Sequence, residues 1–284
     1  MIGHRKRLEM LQSWARHDAA VYRGFVKTIS DLGCVFSGAS ILDIGCGTNA
    51  PVTLMLHSAG VKVTGIDEHV GYRWGLGFKP TRYWHYLQEA GLRRTARKII
   101  GECVFDRHYY IALAQAIGFP ITESGLDLQR MKAENLRFAD SSFDVVYSNA
   151  AWEHFSDVKQ VNHEVARVLR RGGIAYIEIH LFPSLSGGHD LPWIVPGKTE
   201  LGGISPWRHL RDPAWKAPVY LNRLREKDYY RLFEETRRFE VLEWKTEFTE
   251  GEEFITNELL QELSDYTRDE LIKRSVIAIL RKLR

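Results

Sequence analysis

Two short apolar runs, each stopping at a chemically marked residue, constrain this chain more than anything else in it. Ile41-Leu42-Asp43-Ile44 runs into Gly45-Cys46-Gly47, and Val61-Lys62-Val63-Thr64-Gly65-Ile66 stops at Asp67. Apolar runs of this length bounded by glycine read as buried strands. Val52–Ala59 leaves room for one helix between them. Two strands joined by a helix-length crossover form a βαβ unit, and a parallel sheet must be covered on both faces. The expected architecture is therefore α/β, with helices on both sides of a doubly wound sheet.

Later segments extend the pattern. Phe143-Asp144-Val145-Val146-Tyr147-Ser148 reads as a strand stopping at Asn149, and Ile174–Ile179 as the next. Lys159–Arg171 carries Val161, Val165, Val168 and Leu169 on one helical face, with Gly172-Gly173 expected to terminate it. Phe239–Trp244 and Ser275–Leu280 read as two more strands flanking a helix over Asn257–Ile272. At the start, Leu8, Leu11, Trp14, Tyr22, Phe25, Ile29 and Leu32 have the spacing of an amphipathic helix over Lys6–Leu32.

Two stretches, 68–125 and 183–238, are too long for ordinary connections. Both follow the C-terminal end of a predicted strand, where open α/β sheets bind ligands. They hold five of the eight tryptophans, Trp74, Trp84, Trp193, Trp207 and Trp215. We expect them to form a cap with substrate walls, or the aromatic core of such a cap. The expected division is a helical segment over 1–34, a ligand-binding core over 35–182 with 68–125 inserted, a substrate cap over 183–238, and 239–284 completing the sheet.

Composition narrows the function classes. With 39 basic and 36 acidic side chains the formal charge is +3. That is too balanced for a chain that lives on nucleic-acid phosphates, although Arg93, Arg94, Arg97 and Lys98 form a local basic run, read as a solvated helix face. No apolar stretch approaches the ~20 residues of a membrane helix. The three cysteines, Cys34, Cys46 and Cys103, are too scattered for a disulfide framework or a thiolate zinc site, so no metal is expected and the reducing cytosol is the simplest setting.

The chemistry begins at Asp43-Ile44-Gly45-Cys46-Gly47-Thr48-Asn49-Ala50. Glycines at a strand end let backbone approach a ligand closely. Asp67, at the end of the next strand, can accept two hydrogen bonds from a ribose diol. Gly-x-Gly-x-x-Ala followed by an acid also matches a dinucleotide turn. Asp43 separates the two readings, since an acid before the glycines opposes a pyrophosphate and suits a ligand bearing an ammonium or sulfonium.

Taken together with Ala133-Glu134-Asn135-Leu136-Arg137-Phe138, Ser142–Asn149, Trp152-Glu153-His154 and Glu164–Gly173, these pieces resemble the class I S-adenosylmethionine-dependent methyltransferases of the broad small-molecule group called type 11. The resemblance covers roughly residues 35–182 outside the first insertion. It implies a Rossmann-like, mostly parallel seven-stranded sheet and S-adenosylmethionine as cofactor. It further implies that Asp43 orients the glycine turn and, directly or through water, the cofactor's amino group. Gly45, Cys46 and Gly47 would then border the methionine portion, Asp67 with Glu68 the ribose, Ala133 and Glu134 the adenine edge, and Asn149 the methionine amine or sulfonium. Family members usually place an acid just before the Ala-Glu pair, where this chain has Lys132, so Glu134 or a backbone carbonyl is expected to take the adenine amino group.

Methyl transfer needs positioning and, for a hydroxyl acceptor, a base. His189 and His209 are the candidates, with His180 and Asp190 nearby in sequence; His154, Asp144, Glu164 and Arg167 read as structural. The expected activity is O-methylation of a saccharide or another hydroxylated small molecule. N-, C-, lipid- or quinone-directed methylation stands as the alternative, with an NAD(P)-dependent oxidoreductase or a non-catalytic cofactor-binding partner more remote. The sequence does not give the oligomeric state.

Overall fold

The computed structural model describes residues 4–68, 87, 91–189 and 203–283. Trp74, Trp84, Asp190 and Trp193 lie outside the described residues, as do the side chains of Arg94, Arg97, Lys98 and Cys103. Seven strands are ordered β3-β2-β1-β4-β5-β7-β6 in one mostly parallel sheet. The chain divides into two compact units, residues 1–130 and 131–284. Among the described residues no helix is long and apolar enough to cross a membrane.

In the first unit, helix α1 (His4–Asp31) buries Leu11, Ala15, Ala19, Tyr22, Phe25 and Ile29. Steps of three and four residues keep these on one stripe. Trp14 was expected on that stripe but is 37% exposed, because the stripe passes through the alanines instead. The small stripe faces helix α3 (Leu92–Ile117), where the Tyr109 hydroxyl donates to Asp18 and Arg23 Nη1 to the Ala116 carbonyl at 2.9 Å. Strands β1 (Ser40–Ile44), β2 (Lys62–Asp67) and β3 (Asp127–Arg130) are parallel, with helix α2 (Pro51–Ser58) crossing from β1 to β2. Register pairs Asp43 with Gly65 and Asp67 with Arg130.

This corrects the expectation for 68–125. The stretch is not only an insertion, for its α3 is the crossover that carries the chain from β2 to β3. Strand β3 escaped notice because Asp-Leu-Gln-Arg has no apolar run, and only an edge strand tolerates such a sequence.

In the second unit, β4 (Phe143–Asn149) pairs parallel with β5 (Leu169–His180). Strand β7 (Lys273–Lys282) runs antiparallel to both β5 and β6 (Phe239–Thr249). A 3-10 turn over Trp152–His154 precedes helix α4 (Val158–Val168), whose N-terminus is capped by Asp157 accepting from the Gln160 N–H at 2.9 Å. Helix α4 ends three residues earlier than expected. Gly172 and Gly173 lie inside β5, where the ladder shifts register between Phe143 and Val145. A Cβ on Gly173 would come within 2.8 Å of the Arg170 carbonyl oxygen and 2.9 Å of that of Asp144, so the glycine permits an irregular pairing rather than a helix stop.

Short helices α5 (Arg208–Arg211) and α6 (Glu226–Glu235) follow β5. The helix expected over Asn257–Ile272 is broken into α7 (Asn257–Glu262) and α8 (Arg268–Ile272). Thr267 and Glu270 close a reciprocal capping box that starts α8 afresh. Leu185 and Trp207 pack with Leu259, Leu263 and Leu271, and Trp207 Nε1 donates to the Leu271 carbonyl at 3.2 Å. Trp207 is thus core. Trp215 is buried too, against Phe182 and Leu221.

Candidate active site

In the first unit the site is made by backbone. Gly45 and Gly47 hold φ of 73° and 69°, a left-handed conformation that favours glycine. The Gly45 and Cys46 N–H groups donate to the Ile66 carbonyl at 2.9 and 3.1 Å, folding the turn over the end of β2. The Gly47 N–H donates to Asp67 Oδ2 at 3.1 Å. A carboxylate is acceptor-only, with about four lone-pair directions, which is the acceptor chemistry a ribose diol requires. Glu68 follows at the exposed surface. Ala50, with φ of 41°, begins α2 without a side-chain cap, and Pro51 occupies the first turn, where its missing N–H costs nothing.

Asp43 is buried and accepts from Thr53 Oγ1 at 2.5 Å. It therefore ties β1 to α2 behind the turn. Burial, reinforced by the neighbouring charge of Asp67 and opposed by the Thr53 hydroxyl, pushes its carboxyl up to about 7. The charge argument from the sequence is weakened accordingly, since Asp43 becomes a full anion near neutrality only when a cation favours that state. Gly65, its register partner, explains the tightness here. A Cβ on Gly65 would stand 2.7 Å from Leu128 Cδ2, 2.9 Å from Thr53 Oγ1 and 3.1 Å from Cys46 Sγ.

In the second unit the residues assigned by resemblance sit on β4 and the turn before it. Ala133 is buried, and Glu134 Oε1 accepts from Ser156 Oγ at 3.0 Å. Asn149 Nδ2 donates to Glu178 Oε2 at 2.7 Å, while Ser275 Oγ donates to Glu178 Oε1 at 2.9 Å. Arg167 donates to the Leu136 and Phe138 carbonyls and to Glu164 and Asp140, and Glu164 accepts from the Leu136 N–H. Both are structural, as expected, and so is Asp144, which pairs with Arg170.

What sequence reasoning missed is a cluster centred on Glu153. Its carboxylate is buried, and among the described residues neither oxygen has a geometrically well-formed hydrogen bond. His154 Nε2 lies 3.9 Å from Oε1, and His180 Nδ1 and His189 Nε2 each lie 4.0 Å from it. The His180 and His189 rings stack at 4.9 Å, with His154 edge-on to His189 at 4.9 Å. Burial pushes Glu153 up to about 8, further raised by Glu178, while the nearby N–H groups of Glu153 and His180 favour its charged form. Burial first, then the His154 and Arg274 charges, pushes His189 down to about 4, and burial holds His180 well below the ordinary histidine range.

The surroundings set the tautomers. Ser186 donates its hydroxyl to Glu250 Oε1 at 2.6 Å, so its oxygen can only accept from His180 Nε2 at 3.0 Å. His180 Nδ1 then turns a lone pair toward Glu153. His154 Nδ1 lies 2.9 Å from the Tyr220 carbonyl, which can only accept, so in the neutral ring its Nε2 carries the lone pair toward Glu153. These two assignments follow from the network rather than from visible hydrogens. The loop that delivers His189 is tightly built. A Cβ on Gly187 would collide with the Phe182 carbonyl oxygen and one on Gly188 would meet His209 Cβ at 2.6 Å, while His189 itself is left-handed with φ of 57°. A bulky residue held in that region stores strain, as active-site loops often do.

Of the two histidines singled out from sequence, His189 belongs to this cluster. His209 is buried with Nε2 against the Phe182 carbonyl at 2.8 Å and its ring against Phe182 and Trp215. The signal that could have found the cluster is Trp152-Glu153-His154 together with His189, which the sequence reading noted separately.

Comparison with known proteins bears on both halves. The methyltransferase domain family matches residues 96–177, from α3 into β5, which includes Ala133, Glu134, Asn149 and Glu153-His154 but not the glycine turn. The uncharacterized methyltransferase YcgJ of Bacillus subtilis is 32% identical over 103 residues, 35% of this chain and 38% of that protein. The 27-O-demethylrifamycin SV methyltransferase of Amycolatopsis mediterranei is 28% identical over 152 residues, 53% of this chain and 42% of that protein. A solved S-adenosylmethionine-dependent methyltransferase of Methanosarcina mazei, 21% identical, covers 86% of this chain and 92% of its own with a TM-score of 0.44. The match spans well under half the length of the first two relatives. A mostly parallel seven-stranded sheet, with Asp67 closing β2 beside a glycine turn and a methyltransferase domain matched from α3 into β5, supports a class I S-adenosylmethionine-dependent methyltransferase.

Proposed function

We propose that this protein is an enzyme that methylates a hydroxyl group of a small molecule, a saccharide or a similarly hydroxylated compound, using S-adenosylmethionine. The observation that carries the reading is the Glu153 cluster: a buried carboxylate and imidazole lone pairs gathered where His154, 35% exposed, meets solvent. Bound S-adenosylmethionine supplies an activated methyl carbon on a sulfonium. The chain's own residues then have three tasks. Asp67 and the Gly45–Gly47 turn hold the ribose and methionine portions, and Asp43 favours a ligand that brings positive charge. Ala133 and Glu134 border the adenine, and Asn149, already oriented by Glu178, borders the methionine end. Glu153, His154 and His189 assist the loss of the hydroxyl proton, which an alkyl hydroxyl needs in order to attack at neutral pH. The rifamycin relative is named for an oxygen-bearing acceptor, which agrees with this choice.

A second reading, methyl transfer to carbon, is favoured by the sterol 24-C-methyltransferase ERG6B of Gibberella zeae, 26% identical over 156 residues. Calorimetric titration of S-adenosylhomocysteine, with NADH in parallel, tests the cofactor. Transfer of labelled methyl to matched panels of sugars, phenols, amines and sterols tests the acceptor. Label appearing only on sterol carbon or on nitrogen defeats the hydroxyl reading. Binding without transfer to any acceptor favours a non-catalytic partner role.

A further inference from the structure

Glu153 is buried beside three imidazole rings. Its carboxylate is 4% exposed, has no well-formed hydrogen bond among the described residues, and faces the lone pairs of His154 Nε2 and His180 Nδ1 across 3.9 and 4.0 Å. His189 Nε2 stands at 4.0 Å as well. Oxygen and nitrogen acceptors converging on one buried point are a favourable setting for a positive charge among them.

We propose that Glu153 Oε1, His154 Nε2 and His189 Nε2 bind a divalent transition-metal ion of the zinc type, with the His180 ring stacked on that of His189 beside them. The three proposed ligand atoms all lie within 4.8 Å of one another. Ligands about 2.1 Å from a tetrahedral ion stand ~3.4 Å apart, so side-chain rotations of about half an ångström close the set. Imidazole with one carboxylate is the donor chemistry of zinc, iron and nickel rather than of magnesium or calcium.

The outer contacts are those a metal site needs. Metal-ligating histidines donate their remaining N–H to a carbonyl or carboxylate, which fixes the tautomer and the ring. His154 Nδ1 has the Tyr220 carbonyl at 2.9 Å, and beside the ligands His180 Nε2 reaches Glu250 through Ser186. Asn222 steadies the carbonyl side, its N–H donating to the Glu153 carbonyl at 2.9 Å and its Nδ2 to the Trp152 carbonyl at 2.7 Å. The second preformed feature is the strained His189, held by a turn whose His189 N–H donates to the Ser186 carbonyl at 3.0 Å.

The role of the ion rests on the methyl-transfer reading. At the half-exposed edge beside His154 it would accept the acceptor's hydroxyl oxygen as a further ligand and make its proton easier to remove. The oxygen then forms the new C–O bond, the sulfonium C–S bond breaks with its electron pair passing to sulfur, and the hydroxyl proton leaves to solvent.

The test uses the whole chain, stripped with a chelator and titrated calorimetrically with Zn2+. Co2+ absorption in the visible provides a second readout that does not depend on activity. One Zn2+ per chain is expected, with a low-symmetry Co2+ spectrum. Removing a ligand should weaken binding by about 100-fold or more, beyond the 10–100-fold of an outer contact. Glu153→Gln and His189→Ala should both do so, while His163→Ala, an exposed histidine on α4, should not. If Glu153→Gln does not fold, His154→Ala at the exposed edge reports the same ligand set. Wild-type protein that ignores Zn2+ and Co2+, or variants that bind them as wild type does, overturns the proposal. S-adenosylhomocysteine titrated in the same preparations separates the two ideas. Its binding without Zn2+ binding sinks only the ion, and Zn2+ binding without it sinks only the methyltransferase reading.

Discussion

The glycine turn and the Glu153 cluster are built on opposite principles. In the turn, backbone does the recognition. Two left-handed glycines fold over β2, the Gly45 and Cys46 N–H groups find the Ile66 carbonyl, and Asp67 already accepts from Gly47. Polar groups there are largely satisfied, and a ligand adds to a finished structure. In the cluster, side chains do the work. Residues 153, 154, 180 and 189 come from a 3-10 turn, the end of β5 and a constrained loop, and they leave a buried carboxylate with no well-formed hydrogen bond among the described residues. A satisfied site positions, and an unsatisfied one is ready to act on a proton or a cation.

The two should fail differently. Glu153→Gln keeps the shape and removes the charge. We expect methyl transfer to fall by about 100-fold to 10,000-fold, the range for losing a proton-handling group, with S-adenosylhomocysteine affinity within threefold of wild type. Steady-state turnover beside calorimetry checks this. Equal losses in turnover and affinity would show that the cluster belongs to cofactor binding after all. Asp67→Ala should do the reverse. Losing two hydrogen bonds to a charged group, about 1.5–3 kcal/mol each, weakens S-adenosylhomocysteine by about 100-fold or more while the fold survives. Near-wild-type affinity would remove Asp67 from the ribose role.

This contrast also explains what the sequence revealed. A backbone site needs glycine at fixed offsets from a strand and an acid closing the next one, so Gly45, Gly47 and Asp67 announced themselves by spacing. A side-chain site needs only that its members meet. Glu153 and His189 are separated by α4 and the whole of β5, and no period links them. The sheet was legible where strands are apolar and buried, at Ile41–Ile44 and Ile174–Ile179, and illegible at β3, whose solvated edge carries no apolar signal. Likewise Gly172-Gly173 looked like a helix stop, because glycine's freedom is visible in sequence and the carbonyls crowding Gly173 are not.

A smaller change probes how rigid the turn must be. Gly65→Ala places a methyl group against Leu128, Thr53 and Cys46, and the nearest of these contacts, at 2.7 Å, is shorter than real side chains make. Overpacking of this kind costs about 1–3 kcal/mol, read as a lowered urea midpoint with an unchanged slope. Because Thr53 also carries the bond to Asp43, cofactor affinity should drop with stability. The same denaturation run on Glu153→Gln should move little, sharpening the difference between a packed turn and an open cluster.

The most gradual effect is in pH. Asp43 has an unfolded carboxyl near 3.8 and a folded one at about 7, raised first by burial and further by Asp67. Between those values the native chain holds a proton that the unfolded chain has lost. Stability from this group is therefore full below about 4 and declines as pH rises toward 7, by at most about 1.4 kcal/mol per pH unit. Asp43→Asn abolishes that slope, and comparing the two proteins from pH 4.5 to 7 isolates it from other carboxylates. Binding runs the same linkage backwards. A ligand whose ammonium or sulfonium favours the charged carboxylate must expel the proton, so calorimetry at pH 6 in buffers of different ionisation enthalpy should show proton release in wild type and less in Asp43→Asn. Equal release in both would mean that Asp43 feels the ligand only through Thr53 and α2, making it a support of the turn and not a sensor of the ligand's charge.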